Sequence, residues 1–163
     1  MPAFLIRPFR PADAGGLEMI HRRAIMALAG DRYTVAECES WAAGLKARTY
    51  IRIAERDEFF WVAQMPHGPL GGFCSFTMRP KRVGEICGLY TDPSFQGQGI
   101  ASALMRQAED DLADTGATSI KINASLAAES FYQRFGYETL RTTSHRTRGG
   151  LEIDSRDMAR MLG

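Results

Sequence analysis

From Gly88 to Leu112 the chain reads GLYTDPSFQGQGIASALMRQAEDDL. An apolar strand closes at Asp92-Pro93, a polar loop follows with Gln96-Gly97-Gln98-Gly99, and apolar residues then recur at helical spacing. Strand, tight loop and helix in that order form the first half of a βαβ unit, which commits part of the chain to parallel strand pairing. The loop bears on function as well. Gly97 and Gly99 allow φ > 0, which leaves successive backbone N–H groups unpaired at the positive end of the helix dipole. Such a place suits a phosphate or pyrophosphate. Two common phosphate motifs do not fit. A P-loop requires a Lys after its last glycine, and Ile100 follows Gly99; the dinucleotide fingerprint requires a third glycine where Ser102 stands.

The rest of the chain supplies a sheet for that unit. Phe4 to Arg7 is a short strand, closed by Pro8. Pro11 opens a helix whose stripe is Leu17, Ile20, Ala24 and Leu28, and Gly30 ends it. Thr34 to Leu45 begins with a capping box, Thr34-x-x-Glu37. Residues 47–56 fit helix and strand equally. Phe59 to Met65 and Leu70 to Met78 flank the turn Pro66-His67-Gly68-Pro69 and form a hairpin. Val83 to Thr91 is apolar on both faces, hence central. Beyond the helix that Gly116 ends come a strand at Ser119 to Ala124, a short helix at Ala127 to Phe135, and strands at Tyr137 to Ser144 and Leu151 to Met161. The order predicts one α+β domain, residues 1–163, built on a mixed sheet.

Composition narrows the partners. A net charge of +1, with no basic patch interleaved with aromatics, argues against nucleic acid. No apolar run approaches the ~20 residues that span a bilayer, and the first residues show no signal-peptide pattern, so no membrane role is expected. Cys38, Cys74 and Cys87 are odd in number and widely spaced; they read as free thiols of a cytoplasmic protein, not as disulfides or a metal site.

The spacing Gln96-x-x-Gly99-x-Ala101 after Leu89-Tyr90-Thr91-Asp92-Pro93 resembles the acyl-CoA pyrophosphate motif of the GNAT superfamily of N-acetyltransferases. A second segment, Asn123-Ala124 followed by Phe131-Tyr132 and Gly136-Tyr137, resembles that family's other signature. The resemblance implies a GNAT-like fold, with a central mixed sheet of six to seven strands, helices on both faces, and a splay between the fourth and fifth strands at the acyl-CoA site. It also implies acetyl-CoA as cosubstrate and no metal. Its cofactor contacts would be Leu89, Tyr90 and Thr91 along the splay; Gln96, Gly97, Gln98, Gly99, Ile100, Ala101 and Ser102 at the pyrophosphate; and Asn123, Ser130 and Tyr132 at the pantetheine and sulfur. A backbone N–H at Leu89 or Tyr90 would hold the oxyanion of the tetrahedral intermediate.

Acetyl transfer to an amine needs the nitrogen neutral, and holding a lysine-like amine deprotonated at pH 7 costs about 4–5 kcal/mol. A general base is therefore expected. Glu85, a lone carboxylate in an apolar strand, stands where some family members carry a catalytic glutamate; partial burial predicts a raised pKa. The alternative is a surface pair with Lys81 or Arg82. Tyr132 is the expected general acid toward the departing thiolate. On the acceptor side the resemblance nominates Tyr33, Trp41 and the region of Arg146 and Arg148. The leading expectation is an N-acetyltransferase acting on the primary amine of a small molecule by direct attack in a ternary complex. The alternatives are an enzyme acting on protein α-amines or lysines, and a non-catalytic acyl-CoA sensor. By analogy with the family, a homodimer is expected.

Overall fold

A computed structural model describes residues 3–163; Met1 and Pro2 of the expected domain lie outside the described residues. The strands are β1 (Leu5–Pro8), β2 (Phe59–Gln64), β3 (Leu70–Arg79), β4 (Val83–Thr91), β5 (Ser119–Ser125), β6 (Glu138–Arg146) and β7 (Glu152–Met161). The helices are α1 (Ala14–Met26), α2 (Val35–Ala42), α3 (Ala47–Arg56), α4 (Ile100–Thr115) and α5 (Glu129–Arg134). All seven strands form one sheet in the order β1-β2-β3-β4-β5-β7-β6. Only β4 and β5 pair in parallel, across the crossover through α4. This is the expected α+β mixed sheet.

Side-chain alternation on β2 shows the two layers. Phe60 and Val62 pack with Leu17 and Ile20 of α1 and Tyr50 of α3; Trp61 and Ala63 point the other way, toward Leu104, Met105 and Ala108 of α4. Residues 47–56, ambiguous in sequence, form a helix because Tyr50, Ile53 and Ala54 share one helical face against that first cluster. The capping box of α2 forms as expected: the Glu37 amide donates to Thr34 Oγ1 at 3.1 Å, and the Thr34 amide to Glu37 Oε1 at 2.8 Å. Among the described residues no helix is long and apolar enough to cross a membrane.

Two details position the site. The first lies on β4, which pairs with β5 only from Val83↔Ser119 to Ile86↔Ile122, although β4 runs on beside β3 to Thr91 and β5 runs on beside β7 to Ser125. Against β3, Ser75 faces Gly88 and Phe76 faces Ile86, so Cys87 is an extra residue, a β-bulge. The bulge bends β4 at the point where the two strands part, and the expected splay opens there.

The second detail is the turn between β6 and β7, which docks on α2. Ser40 accepts from the Gly149 amide through its carbonyl at 2.9 Å and from the Leu151 amide through Oγ at 3.0 Å. A Cβ on Gly149 would stand 2.7 Å from Ser40 Cα and 2.8 Å from its carbonyl oxygen, so only glycine allows this approach.

Candidate active site

The splay opens into a cavity of about 520 Å³. Its walls include β4 from Glu85 to Thr91, β5 from Ile122 to Ser125, Tyr132 on α5, and Tyr33 and Trp41 from the α1–α2 side. Leu89, Tyr90, Thr91, Gln96, Ala101 and Asn123, all nominated by sequence, line it as well.

The glycine-rich loop lies at one end. Gly97 and Gly99 have φ of +79° and +83°, and the space where a Cβ would stand is open at both, so their glycines answer to backbone conformation and not to crowding. Gly99 is the N-cap of α4, and no side chain caps that helix. Its first N–H groups are therefore left for another acceptor, as a phosphate seat requires. The loop is held from below. Asp92 Oδ1 accepts from the Ser94 amide at 2.8 Å, and Arg23 of α1 lies 3.2 Å from Asp92 Oδ2. Gly97, Gln98 and Gly99 are exposed at the rim, and Ser102 is half-buried in the first turn of α4. Together with the parted strands and the buried Thr91 Oγ1, which has no partner among the described residues, this loop fits an elongated ligand that ends in a pyrophosphate.

Several sequence expectations are corrected. The Ile100 side chain is 1 % exposed and packs in the core with Leu104, which leaves only its backbone N–H, in the first turn of α4, for the loop's ligand. Ser130 is exposed on α5 and does not line the cavity. The Asn123 side-chain amide is already donating, to Asp157 Oδ1 at 2.9 Å and Thr143 Oγ1 at 3.2 Å, so it is not a free donor toward the splay.

Glu85 needs the largest correction. Burial would raise its pKa, but hydrogen bonds and charge from Arg79 and Lys121 outweigh burial and hold the carboxyl below the usual glutamate range. Arg79 lies 2.8 Å from Oε1 and Lys121 3.3 Å from Oε2. The partners come from β3 and β5, not from the adjacent Lys81 or Arg82, because strand register sets Glu85 beside Thr77 and Lys121. Glu85 thus ties three strands together just below the splay.

Tyr132 is buried and lines the cavity, and its hydroxyl makes no hydrogen bond among the described residues. Burial pushes its pKa well above the usual tyrosine range, so it keeps its proton through neutral pH. Tyr33 is also a cavity wall, but its hydroxyl is already engaged. It donates to the Asp154 carbonyl at 2.7 Å and accepts from the Leu126 amide at 2.9 Å. Trp41 packs edge-on against it, with ring centroids 5.5 Å apart.

Sequence reasoning missed Glu58, Cys87 and His21 near the splay, and His145 is expected there only if the closing hairpin folds inward. Glu58, Cys87 and His145 line the cavity, and His21 lies behind it. His21 reads as solvated in a helical projection, yet it is half-buried against Tyr90, with ring centroids 4.1 Å apart. Burial first, then the charges of Arg148 and Arg22, lower its pKa to about 3. Burial and the neighbouring Glu58 push the Cys87 thiol above its ordinary range. Among the described residues no group of three or more His, Cys, Asp or Glu is placed to hold a metal ion.

The comparisons agree with this geometry. The sequence model of the acetyltransferase (GNAT) family matches residues 23–137. A relative from Escherichia coli K12, named uncharacterized N-acetyltransferase YafP, is 27% identical over 147 residues, 88% of this chain and 87% of the relative. Among solved structures, a GCN5-related N-acetyltransferase from Rhodopseudomonas palustris superposes with a TM-score of 0.87 at 24% identity, covering 99% of this chain and 98% of that one. The PaiA N-acetyltransferase of Thermoplasma acidophilum, solved in complex with coenzyme A, gives a TM-score of 0.77 at 19% identity over 98% and 99% of the two chains. With its matched family model, its parted parallel strands and its uncapped glycine-led helix, the chain belongs to the GNAT family of acetyltransferases.

Proposed function

We propose that this acetyltransferase moves an acetyl group from acetyl-CoA to the primary amine of a small molecule, by direct attack with both substrates bound. The observation that carries this reading is a single cavity that runs from the splay, with Gln96 and Ala101 beside the phosphate seat, to His145 of β6 and Ile153 of β7. In this reading the α4 N-terminus holds the pyrophosphate, and the unpaired edges of β4 and β5 hold the pantetheine arm. The backbone amides of β4 past its bulge supply the oxyanion donor.

Tyr132 donates a proton to the departing sulfur. Its raised pKa keeps that proton in place at neutral pH, so transfer to the sulfur is coupled to the proton that the amine nitrogen gives up. A covalent route through Cys87 is disfavoured, because the nucleophile would be the thiolate and this thiol is pushed toward its neutral form. Glu85, held charged between two cations, is a weak base and serves to fix the splay. Aligning amine and thioester supplies a further roughly 7–11 kcal/mol. The small-molecule acceptor is supported by the β6–β7 turn, which Ser40 fixes against α2. Three free cysteines are consistent with a cytoplasmic protein.

The test is thiol release from acetyl-CoA over a panel of small amines, peptides and aminoglycosides. Release that depends on a small amine supports the reading. Release with peptides alone, or none despite acetyl-CoA binding, refutes the acceptor class.

A further inference from the structure

A second cavity of about 160 Å³ lies next to the first. Glu58, Cys87, Gly88 and Tyr90 line both, so the two spaces share a wall at the β4 bulge. Rings make up much of the second cavity. Phe60 and Phe73 stack with centroids 6.2 Å apart, and Tyr50 meets Phe73 edge-on at 5.9 Å. An apolar space of about 150 Å³ holds one six-membered ring.

Its charged groups are one acid, Glu58, and two cations, Lys46 and Arg148. Glu58 is half-buried, and among the described residues no cation pairs with it. Arg148 lines the same cavity from the β6–β7 turn and has no acidic partner among the described residues. The stem of Arg148 rests on Gly44, where a Cβ would come within 3.3 Å of Arg148 Cδ. Arg148 is exposed at the mouth of the cavity, and its charge only partly offsets the burial that raises the pKa values of Tyr50 and Tyr90. His21 closes the wall, with Nδ1 2.8 Å from the Tyr50 hydroxyl and a buried Nε2 that has no partner. An unpaired acid and an unpaired base around an aromatic floor complement a ligand that is itself a zwitterion.

We propose that this second cavity is the acceptor seat, and that it selects a compact amino acid with a ring-sized apolar side chain. Glu58 receives the ammonium at the wall shared with the splay, Phe60, Phe73 and Tyr50 take the side chain, and Arg148 takes the carboxylate. The inference rests on the acetyl-transfer reading above and names its acceptor. In the reaction Glu58 removes one proton from the ammonium, and the freed lone pair attacks the thioester carbonyl carbon. The C–N bond forms and the C–S bond breaks. The nitrogen loses two protons on the way to the amide; one passes through Glu58 to solvent, and the other ends on the sulfur by way of Tyr132.

The experiment compares L-phenylalanine, phenethylamine and spermidine as acceptors, with calorimetric binding of each to the CoA-saturated protein measured alongside. Wild type should favour phenylalanine over phenethylamine by about ten-fold or more in kcat/KM, the value of one charged hydrogen-bonded contact. Arg148→Met should bring that ratio toward one. Glu58→Gln should lower kcat about 10²-fold or more while acetyl-CoA binding holds. The wild-type comparison needs no variant to fold. Preference for phenethylamine or spermidine would overturn the proposal, as would a ratio unchanged in Arg148→Met. If acetyl-CoA binds and phenylalanine does not, the acceptor assignment alone falls. If acetyl-CoA itself fails to bind, the acetyl-transfer reading falls with it.

Discussion

The proposed donor end of the cavity is built from backbone, and the proposed acceptor end from side chains. At the donor end β4 and β5 separate after Ile86 and Ile122, and two left-handed glycines lead into an uncapped helix. At the acceptor end the walls arrive from α1, α3, β2, β3, β4 and the β6–β7 turn, and each contributes one to three groups. A site made of main chain tolerates wide change in side chains as long as its turns and register survive. A site made of side chains can be rebuilt one residue at a time, which leaves the acceptor free to differ among proteins sharing this fold.

Tyr132 lines the cavity at the splay, and removing its hydroxyl should have the largest effect. Tyr132→Phe is expected to lower kcat by roughly 10²–10⁴ while acetyl-CoA binding, measured by calorimetry, holds. Loss of affinity with kcat intact would move Tyr132 from proton donor to donor-end packing.

Gly149→Ala attacks the acceptor end alone. Its Cβ has no room beside Ser40, so overpacking should cost about 1–3 kcal/mol in urea unfolding. Acceptor KM should rise with acetyl-CoA affinity unchanged. Gly99→Ala is the matching change at the donor end. An L-residue held at φ +83° costs about 1–2 kcal/mol, and acetyl-CoA binding should weaken by about ten-fold while acceptor KM holds. If both glycine variants shift both substrates equally, the division into two ends is wrong.

His21 offers a pH signature for the acceptor end. Its pKa falls from ~6.5 in the unfolded chain to about 3 in the fold, so the unfolded state binds the extra proton between those values. The stability it contributes is complete above ~6.5 and is lost as pH falls, by about 1.4 kcal/mol per unit. His21→Asn should flatten that slope in denaturant titrations run from pH 7 to pH 4. An unchanged slope would mean that His21 titrates freely.

Glu85 should give the smallest catalytic effect. Its lowered pKa contributes stability above the usual glutamate range, and that contribution disappears as pH falls through the native value. Glu85→Gln should therefore lower the melting temperature at pH 7 and match wild type in strong acid. Its kcat should fall by less than about ten-fold, short of the loss of a general base.

The same division explains what could be read from sequence. Gly97, Gly99 and the Thr34–Glu37 box were legible because each meets a local conformational demand that few residue types satisfy. The helix over 47–56 was not, since Tyr50, Ile51 and Ile53 suit either period until the opposing face of β2 is known. Glu85 was misjudged because its partners are set by register with Thr77 and Lys121, not by its neighbours in the chain. Glu58 and His21 carry no pattern of their own, and only the packing of distant segments brings them to one cavity with Arg148, which the resemblance nominates.

Initial-rate kinetics with acetyl-CoA and a small-amine acceptor varied together test the central claim most directly. Direct attack in a ternary complex predicts thiol release that requires the amine, with reciprocal plots that intersect. Parallel plots, or acetyl-enzyme formed without amine, would contradict it and shift the chemistry to a covalent route.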